Sequence, residues 1–195
     1  MSKGEETRAR VLEAARQLIN RKGFRSTSVN DIIKVTGVKK GNLYFHFASK
    51  EELGLAILRQ AHEDFMAFLC NNLKGDRPLE KVSSLLDAVF EKQRRTKFVG
   101  GCLFGNTALE LSDANDRITQ LIREVFRGWT ELLAGVLREA QDAGDLKVQV
   151  QPKVLAKHIV ASIEGGIMMS RLSKNGDHLR DCLSSIRVLL GIEPK

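Results

Sequence analysis

What most constrains this chain is the spacing of its apolar residues, which recur every three or four positions almost from end to end while β-branched runs are scarce. That period belongs to helices with one buried face, so the fold class expected is all-α. In the first segment Val11, Ala14, Ala15, Leu18 and Ile19 form one stripe, with Arg21 and Lys22 in the last turn and Gly23 as the stop.

The punctuation between stripes divides the rest. Ser28 and Asp31 have the spacing of a capping box, opening a short helix that buries Val29, Ile32 and Ile33 and ends at Gly37. A second short helix follows through "KKGNLYF". Ser49-Lys50-Glu51-Glu52 is another capping box, opening a long helix to about Leu73. After the linker "KGDRP", Pro78 sits at a first helical position. The glycines of "FVGGCLFGN" predict an irregular turn into a short helix ending near Ser112, and Asp113 then caps a long helix to about Ala143. Pro152 starts a further helix to about Leu172, and the last ends at Leu190-Gly191, which makes about nine helices.

Charge separates the two ends. The chain of 195 residues carries a formal net charge of +7, and residues 1–50 hold 11 Lys and Arg against 4 Asp and Glu while the remainder is balanced. A basic head on a neutral body is the distribution of a nucleic-acid-binding protein. Cys70, Cys102 and Cys182 are odd in number and far apart, which disfavours a disulfide framework and a zinc cluster and suits a reducing compartment. The charged N-terminus and the absence of a long apolar run point to a cytoplasmic protein with no membrane partner.

Two short helices joined by a Gly-containing turn make a helix-turn-helix candidate at about residues 28–47, whose second helix would enter the major groove. On that helix Leu43 and Phe47 share one side, whereas Gly41, Asn42 and Phe45 point the opposite way. Lys39 and Lys40 oppose the helix macrodipole, a choice that gains value opposite phosphates and guanine edges.

The stretch "GFRSTSVNDIIKVTGVKKGNLYFHFASKEEL", Gly23 to Leu53, resembles the DNA-binding signature of the TetR/AcrR family of bacterial transcriptional regulators. The resemblance implies a DNA-binding domain over residues 5–65 and an effector-binding and dimerisation domain over 75–195. It places Lys39, Lys40, Gly41 and Asn42 at the base-reading helix, and Ser28, Tyr44, His46 and Lys50 where the family holds the DNA backbone. Two positions depart from the common pattern: Lys39 stands where Ser is frequent, and Ile33 where Ala is frequent. The function implied is that of a sequence-specific regulator, a repressor released from a palindromic operator by a small apolar or aromatic effector.

For the body, the resemblance implies a homodimer joined through the last two helices, with Ala161, Gly165, Ile167, Met168, Leu179, Leu183 and Ile186 as candidate interface residues. One recognition helix covers too few base pairs alone, which is an independent reason for a twofold dimer. Candidate pocket residues are Phe65, Leu69, Phe90, Phe98, Cys102, Phe104, Phe126 and Trp129. A sensing thiol at Cys102 is an alternative, although Lys97 is five residues away and no His adjoins it. No enzyme constellation and no cofactor or metal motif is evident: "GGCLFG" lacks the Lys-Ser/Thr of a phosphate loop, and His178 with Cys182 finds no third ligand. The rival function is a DNA-binding scaffold of the same fold that acts through a protein partner.

Overall fold

The structure is a computed structural model and describes residues 3–193. Among the described residues the chain forms nine α-helices and no strand: α1 Lys3–Lys22, α2 Val29–Thr36, α3 Lys40–His46, α4 Lys50–Asn72, α5 Pro78–Arg95, α6 Leu103–Leu111, α7 Asp116–Asp142, α8 Pro152–Ser173 and α9 Asp177–Leu190. The helical period of the apolar residues thus sets the class, and the caps set the boundaries. Gly23 leaves α1 at φ +90° and Gly37 leaves α2 at φ +67°, left-handed conformations that cost glycine no Cβ clash. One cap differs from expectation. Asn115, not Asp113, starts α7, its side-chain oxygen accepting the N–H of Ile118 at 2.9 Å.

The chain divides into two compact units: a head up to Glu63 that also includes Leu103–Arg123, and a body of Asp64–Cys102 with the chain from Glu124 onward. The α6 helix and the start of α7 group with the head although they lie far along the sequence, and α4 and α7 each contribute residues to both units.

In the head, Val11, Ala15 and Ile19 from α1 meet Ile32, Leu43, Phe47, Leu53 and Ile57 in one buried cluster, with Phe24 and Leu103 packed against it. The body has a larger core in which Leu69, Leu85, Trp129, Leu133, Leu137, Ile159, Ile163, Leu179, Leu183 and Ile186 are among the buried members. There α8 and α9 approach so closely that a Cβ on Gly166 would stand 3.1 Å from the Leu179 backbone. A Cβ there would require Leu179 on α9 to give by a few tenths of an ångström.

Between α5 and α6 the backbone is strained. Lys97 and Phe98 take φ +53° and +57°, a left-handed conformation that disfavours L-residues by about 1–2 kcal/mol each. Packing holds it in place: the Phe98 ring lies beside Phe90, centroids 5.9 Å apart, and over Gly176, where any Cβ would meet it.

Candidate nucleic-acid interface

The α2–α3 pair is built to present one face of α3. Ser28 accepts the Asp31 N–H at 3.1 Å while Asp31 accepts the Ser28 N–H at 2.9 Å, a reciprocal cap that fixes the entry to α2. These hydrogen bonds hold the Asp31 carboxyl below its ordinary range, the Ser28 hydroxyl contributing most. The turn through Gly37 then leads to α3, which Leu43 and Phe47 anchor, being 2% and 4% exposed.

The opposite face of α3 carries Lys39, Lys40, Gly41, Asn42 and Tyr44, all exposed, and Phe45, which is 84% exposed. His46 is half-buried, with Phe45 edge-on at 5.3 Å between ring centroids. Lys39 makes no side-chain cap for α3. Around Gly41 a Cβ would meet nothing within 4 Å. Gly41 is the second residue of α3, and no internal packing asks for a glycine there.

Two of the eight expected contact residues are occupied within the fold. Ser28 donates its hydroxyl proton to Asp31 at 2.7 Å, so that proton is spent inside the capping box. Lys50 donates to the carbonyl of Arg25 at 3.3 Å and lies 4.7 Å from the Phe24 ring centroid. Burial lowers its ammonium below the ordinary lysine range, with the Glu110 charge opposing that shift.

The loop before α2 is held by residues that no local pattern suggests. Glu110 on α6 accepts the backbone N–H groups of Phe24 at 2.7 Å and Arg25 at 2.6 Å. Arg117 on α7 reaches Glu51 at 3.1 Å and Glu52 at 2.6 Å at the start of α4. Their partners are some 65 to 86 residues away in sequence, beyond the reach of any motif.

This geometry, two short helices with a locked core side and a polar, cationic outer side, coincides with two family-model matches. Residues 11–57 match the bacterial regulatory proteins of the tetR family, and residues 78–186 match the tetracyclin repressor-like C-terminal domain. The chain belongs to the TetR family. It is a DNA-binding transcriptional regulator.

Curated relatives of this TetR-family chain include the HTH-type transcriptional repressor DhaR of Mycobacterium sp. (strain GP1), 26% identical over 92% of this chain and 89% of that one. The transcriptional regulator AcuR of Cereibacter sphaeroides is 30% identical over 87% and 78%. Among solved structures, a TetR transcriptional regulator from Chloroflexus aurantiacus J-10-FL superposes with a TM-score of 0.90 at 31% identity, covering 98% of this chain and 97% of that one.

The body of this TetR-family regulator sorts the remaining candidates. Of the expected pocket residues, Leu69 and Trp129 are fully buried in its core, and Phe65, Phe90, Cys102 and Phe126 pack against that core. Phe65 meets Trp129 edge-on at 5.2 Å, and Phe126 stacks on it at 6.4 Å. Phe104 does not join them. It lies buried on α6, which groups with the head. Of the expected interface residues, Ile167, Leu179, Leu183 and Ile186 are buried within this chain's own core, because α8 and α9 pack first against each other. Ala161, Gly165 and Met168 remain at least partly exposed, joined by Met169, Leu172, Val188 and Leu189, of which Leu172 and Val188 are 76% and 74% exposed. No helix is long and apolar enough to cross a membrane among the described residues, and none of their His, Cys, Asp and Glu groups has metal-holding geometry.

Proposed function

We propose that this regulator is a homodimeric repressor that reads a palindromic operator with α3 and is released by a small organic effector bound in the body. The observation that carries the DNA-reading part is the unpacked face of α3. Lys39, Lys40 and Asn42 stand exposed around a glycine that leaves the helix surface open, while Leu43 and Phe47 hold the other side. Lysine on a guanine edge and asparagine on adenine are the pairings such a face offers. Tyr44 and His46 flank it at backbone-contact positions, and Lys50 contributes chiefly by holding the Arg25 carbonyl.

Support for the dimer comes from the exposed apolar residues of α8 and α9, where Met168, Leu172 and Val188 lie open on helices whose other faces are already packed. A twofold arrangement of two heads explains a palindromic site. DhaR, a relative of similar length, is named a repressor, which favours that sign of regulation.

Release follows from population shift. Because α4 supplies residues to both units, an effector that prefers one position of α4 changes the fraction of molecules competent to bind DNA. Selection of bound DNA from a random pool tests the reading directly. An inverted repeat is expected, and recovery of no sequence, or of a single asymmetric half-site, would overturn it.

A further inference from the structure

Two polar atoms in the body are buried without a partner: the indole N–H of Trp129 and Oε1 of Glu164. Native interiors satisfy nearly all such groups, so each orphaned one calls for a partner that the protein itself does not supply. Trp129 is 98% buried, with Phe65 and Phe126 as ring neighbours. Glu164 lies in the middle of α8, in the run "IVASIEGGIMM", where it is the one charged residue between Ile159 and Met169. Its protein hydrogen-bond partner is the Cys102 thiol, and Cys102 packs against the same core that contains Trp129.

We propose that Glu164 is the polar anchor of the effector site in the body, and that it selects a protonated organic amine carried on an apolar or aromatic group. The inference rests on the effector-responsive reading above and narrows its chemistry. The carboxyl, whose Oε1 is out of contact with water, is pushed toward its neutral form by desolvation, and no Lys or Arg contributes to holding it ionised. A carboxyl drawn out of water with no cation from the protein gains most from a ligand that brings one. An ammonium donates to Oε1 and pairs with the carboxylate. An alcohol of the same size gains only the hydrogen bond. A carboxylate of the same size is repelled.

Trp129 is the chain's single tryptophan, so its emission reports on this core without any label. The full chain is titrated with 2-phenylethylamine, 2-phenylethanol and phenylacetate, following Trp129 fluorescence in parallel with retention of selected operator DNA. The amine is expected to bind at least about tenfold tighter than the alcohol, with phenylacetate weakest. Glu164→Gln is expected to erase the preference for the amine while leaving operator binding without ligand unchanged. Circular dichroism of the variant checks that it folds, and Glu164→Asp, which keeps the charge, is expected to recover part of the preference.

Equal or tighter binding of the alcohol or phenylacetate would overturn the proposal. So would an undiminished amine preference in Glu164→Gln, or no response to any of the three, the result expected if an ordered water alone satisfies Oε1. The two readings fail differently. Amine binding at Trp129 without loss of operator DNA supports the site and refutes effector control, whereas operator release by a ligand indifferent to Glu164 does the reverse.

Discussion

The carboxylate of Glu110 on α6 accepts the backbone N–H of Phe24 at 2.7 Å, and its other oxygen takes the next N–H, that of Arg25, at 2.6 Å. The segment that leads into the DNA-reading pair is therefore held by a residue from far along the chain. Hydrogen bonds to a charged group contribute about 1.5–3 kcal/mol each, less where water competes, as it does at Arg25. Glu110→Ala is expected to destabilise the head by about 1–3 kcal/mol and to weaken operator binding with it. Denaturant midpoints of the two proteins check this. An unchanged midpoint would mean that the loop stands on its own.

Phe24 is confined from its other side by Gly54 on α4, where a Cβ would run into the ring. Gly54→Ala is expected to cost about 1–3 kcal/mol by overpacking. Combining it with Phe24→Leu tests the cause, since the double variant is expected to lose less than the sum of the single changes. Strict additivity would place the strain elsewhere.

On α3 the residues are expected to separate by role. Lys40→Ala is expected to weaken binding to all sequences and to reduce the slope of log affinity against log salt by about one. Asn42→Ala is expected to relax preference at one base position, an effect of about 1–3 kcal/mol against the best competitor. Gly41→Ala gives the sharpest contrast. With open space at the site and less unfolded-chain freedom to lose, it is expected to stabilise the free protein by at most about 1 kcal/mol while weakening DNA binding. Stabilisation with unaltered operator affinity would show that nothing approaches α3 at Gly41.

The Glu91 carboxyl lies between Arg94 and Arg95, at 2.7 Å and 3.1 Å. Hydrogen bonds from Arg94 first and Arg95 second lower its pKa from 4.5 to about 2. A depressed folded-state pKa stabilises the protein above the unfolded value, and that contribution is lost as the pH falls from 4.5 to about 2. Direct titration of Glu91 by NMR is expected to give a midpoint near the lower value, moving upward in Arg94→Gln. A midpoint of 4.5 in the unaltered chain would mean that solvent screens both pairs.

Leu172 and Val188 are exposed apolar residues on α8 and α9. Leu172→Asp with Val188→Asp is expected to shift sedimentation from dimer toward monomer and to reduce operator affinity, since two linked heads bind more tightly than one. Leu183→Asp would be uninformative here, because that side chain belongs to the protein's own core.

The extent of each helix was legible because its causes are local: an apolar stripe, a capping box at Ser28 and Asp31, left-handed glycines at Gly23 and Gly37. The inner and outer sides of α3 were legible for the same reason, since seven residues at helical spacing can turn Leu43 inward only by turning Asn42 and Phe45 outward. Where one helix packs on another was not. Leu179, Leu183 and Ile186 form an apolar face that periodicity alone assigns equally to a partner chain or to this chain's own core, and the close approach at Gly166 decides for the core. Phe104 looked like its aromatic neighbours in sequence yet grouped with the head. Glu164 differed from its surroundings as a lone acid in an apolar stretch, a visible mark whose meaning depended on whether a cation from another helix would reach it. By itself the sequence determined the helices, most of their caps and the outward face of α3, because those depend on residues within a turn or two of each other. Only the tertiary structure decided which faces are consumed inside the chain and which polar groups are left without partners, because burial is a property of all the helices packed together.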